Sequence, residues 1–220
     1  VHCQAHYKQS NHQRIQQNNY IQDSYWPSFT NENNSYVYIL GLFLGYQTPE
    51  TFPAHFQTPG ASALFRAAII LARERNITIN RKQIAYRLEE TNDRDVIKAL
   101  ERACIAIEEE QILGIVGPEY SSEAKILAQL GNRVGLPITG FSTLEPELSH
   151  RNVYPTFYRM APSDIIKARA LLKLFEKYHW NSTNVIYQGD SWGQGGLQAL
   201  NEVFNGLVQI SHVIRFDLFT

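Results

Sequence analysis

The sequence predicts an α/β fold built on parallel strands. Short apolar runs bounded by Gly or Pro alternate with segments of helical periodicity along most of the chain. Residues 112–141 carry the pattern most completely. Ile112-Leu-Gly-Ile-Val116 reads as a buried strand, residues 121–134 as a helix, and Ile138 opens a second strand. A strand–helix–strand unit packs as parallel strands with a crossover between them. Such folds bind ligands outside the carboxyl ends of their strands. Residues 117–122 and 140–145 both fall there.

Each element follows in order. Residues 1–36 are rich in Gln, Asn, His and Ser, lack periodicity, and read as a disordered extension. Residues 36–45 form the first core strand, and 47–59 a loop containing Pro and Thr. A helix over 61–75 would bury Leu64, Ala67, Ala68 and Leu71. Residues 82–89 alternate as a strand. Asp93 or Asp95 starts the next helix, with Val96, Leu100, Ala103, Cys104 and Ile107 as its buried stripe. In the helix over 121–134, Ser121 or Ser122 is the cap, Glu123 suits its positive end, and Leu127, Leu130 and Val134 share one face. Residues 142–149 carry little secondary-structure signal, and 154–160 have the aromatic content of a strand. Pro162-Ser163-Asp164 opens a helix with Ile165, Ala168, Leu172, Phe175 and Tyr178 on one face. A strand over 183–187, a helix over 192–204 and a strand over 207–218 complete the chain. Open parallel sheets are covered by helices on both faces, so ending on an uncovered strand predicts a fragment.

Composition narrows the function. The 220 residues are 44% hydrophobic and 19% charged, which suits one domain or two small lobes. The net charge is −1 with no block of Lys or Arg, which argues against nucleic acid as a partner. The longest apolar run, 36–45, is too short to cross a bilayer. Two cysteines, Cys3 and Cys104, define no disulfide framework. Cys104 reads instead as a small buried apolar residue. Three sequons, at Asn33, Asn76 and Asn181, are glycosylation candidates and permit an extracellular chain.

Few residues argue for catalysis. Gly189-Asp-Ser191-Trp-Gly193 matches G-x-S-x-G between a predicted strand and helix, the context of a nucleophile elbow. A serine hydrolase using Ser191 would need an acid and a His later in the chain, and Glu202 and His212 follow in that order. Glu202, however, lies on the helix that Ser191 would start, and no oxyanion segment appears upstream. The plainer reading makes Ser191 a helix cap in a Gly-bounded turn. Glu108-Glu-Glu110 reads as a solvated helix end. His2-Cys3-x-x-His6, with His12 nearby, has partial metal-ligand spacing but no assured fourth ligand, and the polar-tail reading is preferred. No Walker loop, G-x-G-x-x-G, H-E-x-x-H or paired C-x-x-C occurs, so no cofactor is expected.

Five segments in order resemble one family over roughly residues 37–215. Residues 112–122 resemble the "iiGP-x-x-S-S" strand and turn of the receptor ligand-binding region, the type I periplasmic-binding-protein fold. Gly135-Leu-Pro-Ile-Thr-Gly-Phe-Ser-Thr-Leu-Glu-Pro-Glu-Leu-Ser149 resembles its "G-I-P-x-I-S-Y-x-A-T-S-P-x-L-S". Tyr154-Pro-Thr-Phe-Tyr-Arg-Met-Ala-Pro-Ser-Asp164 resembles its "Y-P-x-F-x-R-x-x-P-S-D". Leu174-Phe-Glu-Lys-Tyr-His-Trp180 and Ser191-Trp-Gly-Gln-Gly-Gly196 follow at the family's spacing. The resemblance implies a bilobed clamshell, with residues 37–160 as most of lobe 1 and 161–220 as the start of an incomplete lobe 2. It implies a non-enzymatic extracellular domain at the plasma membrane, dimeric through lobe 1 and anchored by a segment outside this chain. Residues 173–180 are most like GABA-B receptors among the class C G-protein-coupled receptors, beside the metabotropic glutamate type.

The resemblance also implies a site for a small amino-acid-like ligand. Ser121 and Ser122 match the turn serines that bind a ligand carboxylate, at a helix start whose free N–H groups suit an anion. Ser142 matches a further polar contact. Asp164 matches the Asp that takes the ligand amine. Trp192 matches the aromatic that covers the ligand and could attract an ammonium. Leu144 falls where those receptors carry Thr or Ser, and Glu145 beside it would oppose an anionic ligand. Each polar residue also has a structural reading: the serines as caps, Asp164 as helix-start chemistry, Trp192 as packing. Two other functions stay open, a receptor guanylate cyclase ectodomain binding a peptide and the Ser191 hydrolase.

Overall fold

A computed structural model describes residues 36–44, 60–91 and 95–217. His2, Cys3, His6, His12 and Asn33 lie outside the described residues. Strand β1 (Tyr36–Leu44) is the centre of the fold. It pairs in parallel with β3 (Lys82–Thr91) on one side and β4 (Ile112–Val116) on the other. A short β2 (Thr78–Ile79) joins β3 antiparallel through Asn80 and Arg81, both at positive φ as a tight hairpin turn requires. Beyond β4 lie β5 (Ile138–Gly140) and β6 (Phe157–Arg159), both parallel. The sheet order is therefore β2-β3-β1-β4-β5-β6. The chain leaves β1 for opposite sides of the sheet, so a crevice is expected at the carboxyl ends.

Alternation along β1 divides the core between the two faces. Leu40 and Leu42 pack with α2 (Val96–Glu109) and α3 (Ser121–Val134), through Ala99, Ala103, Ala124, Leu127 and Ala128. Small residues on these helices let them sit close to the sheet. Ile39 and Phe43 face α1 (Gly60–Glu74), through Phe65 and Ile69. The expected stripe on α1 is thus replaced. Leu64 is 71% exposed and Leu71 43%, and the neighbouring stripe is buried instead. The ring of Phe43 selects it, lying 5.4 Å from that of Phe65. On α2, Ala103 is buried with Leu100, Ile107 and Cys104 half-buried, while on α3 Val134 is exposed at the helix end.

One of the polar expectations is met and two need adjustment. Asp95 caps α2, accepting from the Lys98 N–H at 3.0 Å. The α3 cap is Tyr120, whose backbone is extended and whose side chain makes no capping bond. Ser121 and Ser122 lie instead in its first turn, because the helix begins one residue early. Glu109 and Glu110 are not simply solvated. Arg87 on β3 holds them at 3.2 and 3.0 Å, and one Glu110 oxygen is buried.

Residues 146–149, read as loop, form a single 3-10 turn, Pro146–Ser149. After β6 the chain enters α4 (Asp164–Tyr178), β7 (Ser182–Gln188), α5 (Ser191–Phe204) and β8 (Gln209–Phe216). Strands β7 and β8 form a separate parallel pair. Ala168, Ala199, Phe204 and Val208 are buried where α4 and α5 pack together, and the Phe175 and Phe204 rings lie 5.1 Å apart at a tilt of 54°. Ile186, Val213, Ile214 and Phe216 are exposed. Asn76, at positive φ after α1, and Asn181, after α4, are also exposed.

Candidate functional site

Three strand ends converge on one cleft. Strand β4 runs into Gly117, joined to Pro118 by a cis peptide. Gly117 has φ +108, and a Cβ there would collide with the Leu42 carbonyl, so only glycine fits. The turn carries Glu119 and Tyr120 outward and delivers Ser121 to the first turn of α3. From the end of β5, the Ser142 hydroxyl donates to the Glu119 carbonyl at 2.7 Å and ties the two turns together. From the second sheet, β7 ends at Gln188. The Gly189 N–H donates to the Phe216 carbonyl at 2.8 Å. Asp190 then caps α5, accepting from the Gly193 N–H at 2.9 Å and from the Gln188 amide at 2.7 Å. A Cβ on Gly193 would strike the Gln188 carbonyl, so this turn also needs its glycine.

The resulting cleft encloses about 280 Å³. Glu119, Tyr120, Ser121 and Ser142 line one wall, and Gln188, Asp190, Ser191 and Trp192 the other. The predicted residues Ser121, Ser142 and Trp192 come together here. Trp192 is 58% exposed, so its ring is a wall of the cleft and not a packed core residue. Ser122 is half-buried and does not line the cleft. Asp164 is buried away from it, paired with Lys167 at 3.1 Å, while its backbone N–H donates to the Leu144 carbonyl at 2.9 Å. Helix-start chemistry accounts for both contacts, and Ser163 is the cap. Glu145 is turned away as well. Its carboxylate pairs with Lys125, which also holds Glu147 at 2.6 Å. The Tyr154 hydroxyl donates to Glu147 at 2.7 Å, and burial with that bond pushes the phenol up to about 12.

Glu119, Tyr120, Gln188 and Asp190 were not singled out from the sequence as contacts. The signal available was positional: they occupy the variable places of two turns at the carboxyl ends of parallel strands.

One further group stands close behind the lobe-facing turn. Glu123 is the third residue of α3 and is fully buried. Among the described residues, no group is in full hydrogen-bonding geometry with either carboxylate oxygen, although the Tyr120 N–H lies close enough to act on it. Burial first, then the charge of Glu119, push its pKa up to about 7, with Asp95 adding a smaller rise and the Tyr120 N–H opposing it.

Among the described residues, Ser191 is not set as a nucleophile. It is the first residue of α5, with Asp190 as the cap in place of the serine expected there. The His212 ring meets the Asn184 side chain at 3.1 Å. Both sit four residues back from the Gln188–Phe216 pair at the strand ends, which is about 13 Å of strand. Glu202 is exposed in the last turn of α5. Among the described residues, no acid–His–Ser relay is assembled around Ser191.

The parallel sheet, the strand-end turns and the two-walled cleft describe a binding fold. Residues 64–217 match the family model for the receptor family ligand binding region. The chain belongs to that family. This receptor ligand-binding region is 32% identical over 98 residues to Glutamate receptor 3.2 of Arabidopsis thaliana, covering 44% of this chain and 11% of that protein. It is 29% identical over 115 residues to Metabotropic glutamate receptor-like protein E of Dictyostelium discoideum, covering 52% and 14%. It is 29% identical over 97 residues to Taste receptor type 1 member 3 of Rattus norvegicus, covering 44% and 11%. A solved ABC transporter substrate-binding protein from Desulfitobacterium hafniense aligns with a TM-score of 0.65 at 18% identity, over 84% of this chain and 51% of that one. That likeness carries the fold, which is periplasmic-binding-like. The receptor ligand-binding region described here spans about half of that structure and a small part of each receptor. The family is generally non-enzymatic. No helix among the described residues is long and apolar enough to cross a membrane.

Proposed function

We propose that this chain is the ligand-sensing part of a class C G-protein-coupled receptor of the GABA-B or metabotropic glutamate type. Residues 37–160 are read as most of lobe 1 and 161–220 as the start of lobe 2. A small amino-acid-like ligand occupies the cleft between them and stabilises the closed arrangement. It does so only to the extent that it binds the closed form more tightly than the open one. The receptor faces the outside of the plasma membrane, dimerises through lobe 1 and is anchored by a segment outside this chain.

The observation that carries the reading is the cleft itself. Ser121 and Ser142 come to it from the ends of one sheet and Trp192 from the end of the other. A ligand touching both walls would couple its own binding to their separation. Calorimetric titration of the 220-residue chain with a panel of small amino acids and amines tests this. Saturable binding is expected, weakened in Ser121→Ala and Trp192→Ala. One ordinary hydrogen bond contributes about 1 kcal/mol, or roughly fivefold in affinity. Unchanged affinity in both variants, or no saturable binding across the panel, would overturn the reading.

A further inference from the structure

We propose that Asn76 and Asn181 each carry an N-linked glycan that covers exposed apolar side chains at the strand ends remote from the cleft. This rests on the reading of the chain as facing the outside of the cell. Both residues open an Asn-x-Thr sequon, with Thr78 and Thr183 as the hydroxyl residues. The structure gives both places the room that so bulky a surface group needs. Asn76, Ile77 and Thr78 are all exposed, and so is Asn181. Their backbones are held without help from the side chains. The Asn76 N–H donates to the Arg73 carbonyl at 2.9 Å, and the Asn181 carbonyl accepts from the Gln209 N–H at 2.8 Å. Among the described residues, no hydrogen bond engages either side-chain amide.

Topology keeps both positions away from the ligand. Asn181 immediately precedes β7, a strand of seven residues that reaches the cleft at Gln188. That is roughly 20 Å of strand. Asn76 lies between α1 and β2, beside the amino end of β3. Gln83 there is level with Tyr36, whereas Val116, just before the cleft turn, is level with Gly41. The two levels are roughly 17 Å apart along the strand. Apolar groups stand at both places. Ile77 follows Asn76, with Leu71 in the last turns of α1, and Trp180 precedes Asn181, stacked on Tyr178 at 5.0 Å. All four are exposed. Exposed apolar patches promote association, and a glycan at each sequon lays a hydrated chain over them. In the modification itself, the Asn side-chain nitrogen attacks the anomeric carbon of an oligosaccharide carried on a lipid pyrophosphate. A C–N bond forms, the C–O bond to the pyrophosphate breaks, one amide proton passes to the transferase, and the lipid pyrophosphate leaves.

Secretion of the 220-residue chain from a eukaryotic cell behind a cleavable signal tests this, with glycan sites mapped by mass spectrometry. Glycans are expected at both Asn76 and Asn181. Thr78→Val and Thr183→Val remove the sequons one at a time and keep Asn76, whose φ of +54 suits Asn. Each variant should lose the glycan at its own site and leave the affinity for small amino acids and amines unchanged. The double variant should form larger species than the parent in sedimentation, with several-fold lower solubility. If a variant misfolds, enzymatic release of the glycans from the folded parent makes the same comparison. If the chain stays in the cell, mapping of the retained material decides, because transfer precedes export. A glycan missing from either site would overturn the inference and leave the ligand reading to its own titration. Equal sedimentation with and without glycans would overturn the covering role. Glycans at both sites with no saturable ligand binding would leave the inference standing and overturn the ligand reading.

Discussion

The two sheets of this molecule are built from similar units and end up in different circumstances. In the first, β1 is flanked by parallel strands and covered on both faces, by α1 on one side and α2 and α3 on the other. In the second, α5 lies against the β7–β8 pair with α4 packed on α5, and Ile186, Val213, Ile214 and Phe216 are exposed. The cleft lies between these unequal parts. The contrast teaches where stability and responsiveness reside. The turn carrying Ser121 is fixed by a two-sided core, whereas the turn carrying Trp192 stands on a two-stranded sheet. Relative movement of the walls is therefore expected to come from the second sheet, consistent with low-stability elements serving as the moving parts of binding proteins.

Substitutions in the two cores should break the symmetry most visibly. Phe157 is fully buried in the first sheet, and Phe157→Ala should cost about 3–5 kcal/mol in denaturant unfolding. Ile186 is 67% exposed on β7, and Ile186→Ala should cost less than about 0.5 kcal/mol. Similar losses at both positions would mean the second sheet is covered as well as the first.

Glu123 should give the next largest effect, and its sign is fixed. Its folded pKa of about 7 lies above the ordinary value of 4.5, so the folded state holds the proton more tightly. Stability from this group is full below the ordinary carboxyl range and is lost as the pH rises through about 7. The charge penalty in the folded state reaches about 3 kcal/mol at high pH. Glu123→Gln should remove that slope, so the variant gains on the parent between pH 5 and 8 in denaturation midpoints. A parallel pH profile for the two proteins would remove Glu123 from this role.

The smallest effect sharpens the comparison at the cleft. Asp190→Ala deletes the α5 cap and should cost about 1 kcal/mol. Because α5 stands on the one-sided sheet, amide exchange should quicken in its first turn and leave α3 unchanged. Equal acceleration in both helices would contradict the independence of the two walls.

Much of this was legible in the sequence. The strand–helix alternation and the Gly/Pro-bounded run at 112–122 are local patterns, and they carry the element order and the turns that reach the cleft. What local pattern does not carry is the choice among equivalent faces. Helix α1 is apolar nearly all round, through Leu64, Phe65, Ile69, Ile70 and Leu71, so periodicity allows two stripes and only contact with Phe43 decides between them. The same limit applies to charge. Glu145 seemed placed to repel an anion, but Lys125, one turn into α3, draws it away, and Glu119 stands at the cleft instead. Such pairings join residues about twenty positions apart and have no sequence period. The helix caps lie earlier than expected, at Tyr120 in place of Ser121 or Ser122 and at Asp190 in place of Ser191, because the strand-end turns set where each helix starts.

Hydrogen exchange of the 220-residue chain, with and without the tightest-binding member of the panel of small amino acids and amines at saturation, tests the central claim most directly. A ligand that bridges the cleft should slow exchange in two separate segments together, 119–123 at the start of α3 and 189–193 at the start of α5. Protection confined to one segment, or appearing only elsewhere in the chain, would contradict a cleft that works by joining its two walls.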